Sequence, residues 1–243
     1  MIASVTANPG LQVIVEVTPN PGLRGSSGRA LLSGHYCRRD HARRRTRESA
    51  SSIGITIMYL SPHMTKDALI SHLRDHALRT DGPFRLRSGA WSDWYLDARQ
   101  TTFTGEGARL VGEAMCEVLD PSVTAVGGMT MGADPIAVAT AIAAAAQGKP
   151  LTAFSVRKEA KDHGTGGRLV GPVGPSDRAA VVEDTATTGG ALFEALEVVQ
   201  AAGIEVVQVV ILVDRSEGRV GEEAIRRGLD FRALIKPDEL GVK

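Results

Sequence analysis

The run Val181-Val182-Glu183-Asp184-Thr185-Ala186-Thr187-Thr188-Gly189-Gly190 concentrates more chemistry than any other stretch of the chain. An apolar segment ends in two adjacent carboxylates, a turn of hydroxyl and glycine residues follows, and an apolar-periodic helix comes next. Such a turn presents backbone N–H groups, and the helix behind it adds the positive end of its dipole; together they bind a phosphate. Gly189 and Gly190 allow close approach of a ligand, and the threonine hydroxyls add donors. Two acids beside an anion pocket make sense where they accept hydrogen bonds from sugar hydroxyls, or oppose positive charge that develops on the sugar. The run is not a Walker A loop, because no Gly-Lys-Ser/Thr follows.

A second group is cationic: Arg157-Lys158-Glu159-Ala160-Lys161-Asp162-His163-Gly164-Thr165-Gly166-Gly167. Arg157, Lys158, Lys161 and His163 can converge on an anionic leaving group such as pyrophosphate, and the glycines would let the segment work as a lid. In Val213-Asp214-Arg215-Ser216-Glu217, Arg215 can hold a carboxylate or ring carbonyl with its planar fork. The segment Gly127–Pro135 reads as a strand-to-helix turn able to cradle pyrophosphate through backbone N–H groups.

These groups need a frame. The pattern predicts helices over 65–78 with Thr65 as cap, 106–119, 135–146, 191–202 and 217–227, and strands over 123–127, 151–156, 179–184, 204–214 and 231–234. Phe84–Gly89 and Ser92–Arg99 read as a hairpin-like aromatic stretch. The strands are continuous apolar runs, as in sheets covered on both faces. Strand–helix alternation implies right-handed crossovers and a parallel sheet, whose ligands sit at the carboxyl ends of strands. The chemical groups fall at those ends.

The acid-pair run resembles the phosphoribosyl pyrophosphate (PRPP) motif of type I phosphoribosyltransferases. The Arg-Lys-x-x-Lys-x-His-Gly segment with its glycine pair resembles the catalytic loop of the orotate phosphoribosyltransferases in particular. Phe84-Arg85-Leu86-Arg87-Ser88-Gly89 is similar to that family's Phe-x-Leu-(Lys/Arg)-Ser-Gly element, and Asp214-Arg215-Ser216-Glu217 to its orotate-contacting segment. The resemblance covers about residues 65–243. It implies an α/β fold with a central parallel sheet flanked by helices and a small N-terminal hood. It implies transfer of ribose 5-phosphate from PRPP to orotate, giving orotidine 5'-phosphate and pyrophosphate for pyrimidine synthesis. Glu183 and Asp184 would bind ribose hydroxyls, and Thr185, Ala186, Thr187, Thr188, Gly189, Gly190 and Ala191 the 5-phosphate. Arg157 and Lys158 would contact the diphosphate. Lys161 and His163 would be the critical loop residues, reaching over the partner's active site in a homodimer; with Asp184 they form the expected catalytic set. Arg215, Arg87 and Thr187 would hold orotate, and Trp94 and Tyr95 would line the base pocket. Mg²⁺ would bridge diphosphate and ribose hydroxyls with few protein ligands, so no metal-ligating residue is assigned. Met131 stands where some members carry a lysine, leaving that loop one cation short.

Bulk properties narrow the alternatives. The chain has 243 residues and formal net charge zero, so its overall balance points to no polyanionic partner. Residues 1–57 hold eight arginines against three acids, +5, which leaves −5 for the remainder. This basic segment, with its Arg/Ser-rich run 38–52, reads as a disordered extension before a transferase domain at 58–243; a translation start at Met58 or Met64 is the other account. No apolar run approaches the ~20 residues that span a bilayer, no signal peptide is evident, and Cys37 and Cys116 share no metal-like spacing. A cytoplasmic enzyme without membrane or nucleic-acid partners is expected. His72 and His76, one helical turn apart with no further ligand, read as surface residues. A transferase for another base, and a PRPP-sensing or RNA-binding relative without activity, stay open on sequence grounds.

Overall fold

The strands of the main sheet alternate buried side chains to both faces. Ala179 and Val181 join an apolar cluster on one face with Leu192, Leu196, Val209 and Ile211. Ala180 and Val182 join the opposite cluster with Val126, Val210 and Leu212. The period of two puts successive residues on opposite faces, so a strand with helices on both sides is apolar throughout.

The computed structural model describes residues 13–17, 55–59, 62–85, 89, 91–161 and 167–242, with the side chains of 13–17, 55–59, 62–64 and 161 left aside. Contacts divide the chain into Met1–Leu60 and Ser61–Lys243. In the first unit, β1 (Val13–Val17) pairs antiparallel with β2 (Ile55–Tyr59). The Arg/Ser-rich run 38–52 lies outside the described residues.

The second unit opens with α1 (Pro62–His76), followed by β3 (Leu78–Arg79), β4 (Phe84–Arg85), β5 (Trp91–Ser92), β6 (Tyr95–Leu96) and the short α2 (Arg99–Thr102). Then come α3 (Gly105–Val118), β7 (Ala125–Met129), α4 (Ala133–Ala146), β8 (Thr152–Lys161), β9 (Gly167–Val170), β10 (Arg178–Ala186), α5 (Gly190–Ala201), β11 (Glu205–Asp214), α6 (Arg219–Arg226) and β12 (Asp230–Ile235). A 3-10 turn, Pro237–Leu240, closes the chain against α1: Arg74 donates to the carbonyls of Leu240 and Glu239 at 3.2 and 2.5 Å, and Lys66 pairs with Glu239 at 2.7 Å.

The six-stranded sheet has the order β12-β11-β10-β7-β8-β9. All neighbours are parallel except β8 and β9. The expectation of a parallel sheet therefore holds for the centre and is corrected at one edge. β9 carries no strand signal in the sequence, because Gly167–Val170 is too short to read as a strand without its partner. For the same reason β8 does not stop at residue 156 but runs on to Lys161, and the cationic segment starts as a strand rather than a loop.

Other boundaries shift for local reasons. Helix α1 starts at Pro62, before Thr65, using proline where a first-turn N–H has no partner. It ends at His76 because Leu78–Arg79 is taken by Tyr95–Leu96. β4 and β5 pair inside that ladder, Phe84 opposite Ser92, so the aromatic stretch is a nested hairpin. Helix α4 starts two residues before Pro135. Helix α6 starts at Arg219 because Glu217 and Gly218 have φ of 56° and 90°, outside the helical region.

Helix α3 is capped by Thr104, whose hydroxyl accepts from the Gly107 N–H at 3.0 Å. It packs closely on α4 at Gly112, where an added Cβ would lie 2.4 Å from the Ala139 carbonyl oxygen. Helix propensity favours alanine over glycine by ~1 kcal/mol, but this crowding opposes it. Gly112→Ala is expected to lower stability by about 1–3 kcal/mol, read from urea unfolding, whereas Gly105→Ala, with open space around it, is expected to be neutral or stabilising.

Candidate active site

The path of the chain through the sheet reverses between β7 and β10. From β7 it steps to β8 and β9 on one side; from β10 it steps to β11 and β12 on the other. The carboxyl ends of β7 and β10 thus flank a topological switch point, where open α/β sheets bind ligands.

β10 delivers Glu183 and Asp184 to this point. Both carboxyls are raised in pKa, and burial is the main cause for each. Glu183 is pushed up to about 8 by burial and then by the neighbouring Asp184 charge, with Lys158 pulling it back. Its Oε2 is buried without a hydrogen-bond partner among the described residues. Asp184 is eased by the Thr185 N–H, which donates to its Oδ1 at 2.8 Å, and by the positive charge of Arg99.

The turn after β7 lies directly on Asp184: a Cβ at Gly132 would sit 2.6 Å from Asp184 Oδ1. Gly127 and Gly128 are not part of that turn, as the sequence suggested, but belong to β7. Cβ atoms there would meet the carbonyl oxygens of Phe154 and Val182 at 2.2 and 2.1 Å, so close strand packing demands glycine. Within the turn, the Thr130 hydroxyl donates to Asp134 Oδ2 at 2.6 Å, while Asp134 Oδ1 is buried with no partner among the described residues.

Beyond the acids, Thr187 and Thr188 are exposed, and α5 starts at Gly190 with no side-chain cap. Its backbone donors are therefore not taken by a capping side chain. Gly189 is left-handed at φ 76° and buried, and a Cβ there would meet Val220 and Phe193 at 2.8 and 2.9 Å. Gly190 faces open space, with Thr188 Oγ1 3.8 Å away from the added atom. Of the two glycines, Gly189 shapes the turn and Gly190 leaves the room.

β11 ends in register with β10, Thr185 opposite Val213 and Ala186 opposite Asp214, and the Arg215 N–H donates to the Ala186 carbonyl at 2.8 Å. The half-buried Arg215 guanidinium stacks 3.8 Å from the centroid of the Trp94 ring. Burial lowers its pKa, and the nearby Tyr95 raises it. Trp94 therefore offers one face to Arg215. Arg99, not singled out in the sequence, is gripped by Asp97 through Nε at 2.7 Å and Nη2 at 3.2 Å.

The structure thus gathers Glu183, Asp184, the 185–191 turn, Lys158, Arg215 and Trp94 around the carboxyl ends of the sheet's inner strands. Arg157 and Lys158 lie on β8, and the Lys161 backbone pairs with Gly167. His163 and Arg87 lie outside the described residues. His72 is not a plain surface residue: it is half-buried, its ring lies 4.2 Å from that of His76, and it hydrogen-bonds Thr101 and Thr104. Cys116 is partly buried, its thiol pushed up to about 11 by burial. Among the described residues, no group of three or more metal-ligating side chains occurs, and no helix is long and apolar enough to cross a membrane.

No family model matches the chain. It is 44% identical over 178 residues to the orotate phosphoribosyltransferase of Streptomyces avermitilis, covering 73% of this chain and 97% of the relative. The chain belongs to the orotate phosphoribosyltransferase family. A Corynebacterium glutamicum orotate phosphoribosyltransferase is 38% identical over 195 residues, spanning 80% of this chain and 99% of its own length. The fold is similar to that of the Mycobacterium tuberculosis orotate phosphoribosyltransferase crystallised with PRPP, with TM-score 0.61, 33% identity and coverage of 73% of this chain and 99% of that one. The architecture is that of type I phosphoribosyltransferases, a mostly parallel sheet between helices. As an orotate phosphoribosyltransferase the chain is a pentosyltransferase that moves ribose 5-phosphate from PRPP to orotate, yielding orotidine 5'-phosphate and pyrophosphate in pyrimidine biosynthesis.

The acid pair carries a pH signature. A glutamate that titrates near 4.5 in the unfolded chain and near 8 when folded favours folding at low pH. That advantage is present below about pH 4.5 and is lost as pH rises through about 8. Glu183→Gln removes the dependence. Its melting temperature is expected to exceed the parent's by roughly 5 °C at alkaline pH and to match it in acid, by calorimetry. An equal gain at both pH extremes would contradict the burial argument.

Proposed function

We propose that the orotate transfer is carried out by the acid pair, the 185–191 turn and the cationic arm acting on one bound PRPP. The supporting observation is the half-buried Glu183–Asp184 pair at the switch point, one turn before a helix start that no side chain caps. Glu183 and Asp184 accept hydrogen bonds from the ribose hydroxyls. The backbone from Thr185 to Ala191, with the Thr187 and Thr188 hydroxyls, holds the 5-phosphate at the positive end of α5.

In the reaction a ring nitrogen of orotate gives up its proton to solvent or to the leaving pyrophosphate and bonds to the anomeric carbon as the carbon–oxygen bond to diphosphate breaks, and pyrophosphate leaves with the electron pair. Positive charge on the sugar in the transition state faces the two carboxylates. Negative charge on the leaving group faces Arg157, Lys158, Lys161 and His163, the last two as the critical loop residues. The rate gain comes from positioning and electrostatics. Arg215, held on Trp94, takes the orotate carboxylate or a ring carbonyl, with Arg87 and Thr187 completing the base site.

The donor set fits Mg²⁺. Two oxygen-only side chains lie side by side, and one has a buried carboxylate oxygen without a partner among the described residues. Hard cations favour such ligands, and Mg²⁺ keeps much of its shell from water and substrate phosphates. Glu183 and Asp184 would help hold the ion, which when bound would neutralise negative charge on the diphosphate. We place the enzyme in the cytoplasm as a homodimer whose arms serve the partner's site, with residues 1–57 as a basic extension that the reaction does not need.

Loss of orotate absorbance with PRPP and Mg²⁺ tests the assignment. Turnover is expected in the parent, with Lys161→Ala and His163→Ala each slowing it by about 100-fold or more, and Arg215→Gln raising the KM for orotate. Turnover of hypoxanthine or adenine but not orotate would reject the base assignment, and full activity in both loop variants would reject the arm.

A further inference from the structure

The β8–β9 ladder does not keep one register. Ser155 faces Val170 and Val156 faces Leu169, but Lys161 faces Gly167. Residues 157–160 of β8 are therefore set against Arg168 alone on β9. A bulge of this kind leaves backbone groups without their ladder partners and bends the strand that carries it. Arg168 fills the gap with its side chain: Nε donates to the Arg157 carbonyl at 2.6 Å, and Nη2 reaches Glu194 Oε1 on α5 at 2.5 Å. The same Nη2 lies 3.9 Å from the Met129 sulfur at the end of β7. The Arg168 side chain is 23% exposed, against 52% for Glu194, so the arginine is the inner member of the pair.

We propose that Arg168 is a positioning residue that aims the cationic arm. It ties the backbone at Arg157, where the arm leaves the regular ladder, to the helix that starts at the phosphate turn. Arg157 and Lys158 sit in the bulge, and Lys158 is near enough to Glu183 to lower its pKa. A planar fork suits this task because two of its N–H groups point in different directions at fixed angles. The energy of a partly exposed ion pair is small; the value of the contact is directional, since residues 157–160 fall between the register pairs Val156–Leu169 and Lys161–Gly167. The inference rests on the reading of Arg157 and Lys158 as diphosphate contacts.

Steady-state kinetics on the full chain test it, with Lys158→Ala as the control for that underlying reading. Arg168→Met is expected to raise the KM for PRPP about tenfold, leave the KM for orotate within about twofold, and lower kcat less than it raises the PRPP KM. Arg168→Lys, with one charged donor group, recovers part of the loss. Glu194→Gln, at an exposed helix position that does not threaten folding, shows the same split at smaller size. Equal rises in both KM values, or no change in either, overturn the proposal when Lys158→Ala does raise the PRPP KM. No effect of Lys158→Ala on PRPP instead sinks the reading of the arm beneath it.

Discussion

Two neighbouring carboxyls half-buried at the tip of a central strand are costly, and much of the surrounding structure answers that cost. Taking a carboxylate out of water favours its neutral form, and a second one beside it adds repulsion. The Thr185 N–H, Arg99 and Lys158 each oppose this for one of the pair. They come from three separate parts of the chain: β10 itself, α2 and β8. The opposition is partial, and Glu183 remains well above the ordinary carboxylate range. A site left in this state is prepared for partners that donate hydrogen bonds or bring positive charge.

The remaining parts follow from delivering such partners. β10 lies between β7 and β11, so the turns after all three strands meet around the acids. The turn after β7 comes close enough to Asp184 that a side chain at 132 would push on its carboxyl. The turn after β10 is shaped by a left-handed Gly189 wedged between Val220 and Phe193. The turn after β11 brings Arg215, which rests on Trp94 from the nested hairpin. Each of these turns is short and braced by packing, so the polar groups are held in place before a ligand arrives, the condition under which electrostatic catalysis is effective.

The cationic arm is built on a different principle. It is an antiparallel extension at the sheet edge, broken by a bulge, with few ladder bonds of its own. Across the bulge the Arg168 side chain bonds the Arg157 carbonyl and Glu194.

Much of this is legible in the sequence itself. Val181–Gly190 announced a strand, an acid pair and an anion-binding helix start, because local composition alone dictates those three things: apolar residues bury, glycine turns, and a helix exposes N–H groups at its beginning. The parallel centre of the sheet followed from apolar runs alternating with helical periods. What tertiary structure decided were the pairings between distant residues. β9 exists only because β8 is there to pair with it, and α1 ends at His76 only because Leu78 meets Leu96. Asp97-x-Arg99 and Arg168 carried no signal, since an arginine in sequence has no direction until its neighbours across the fold are known. Gly127 and Gly128 looked like a ligand cradle but serve strand packing, a distinction set by the carbonyls of Phe154 and Val182, which lie far away in sequence.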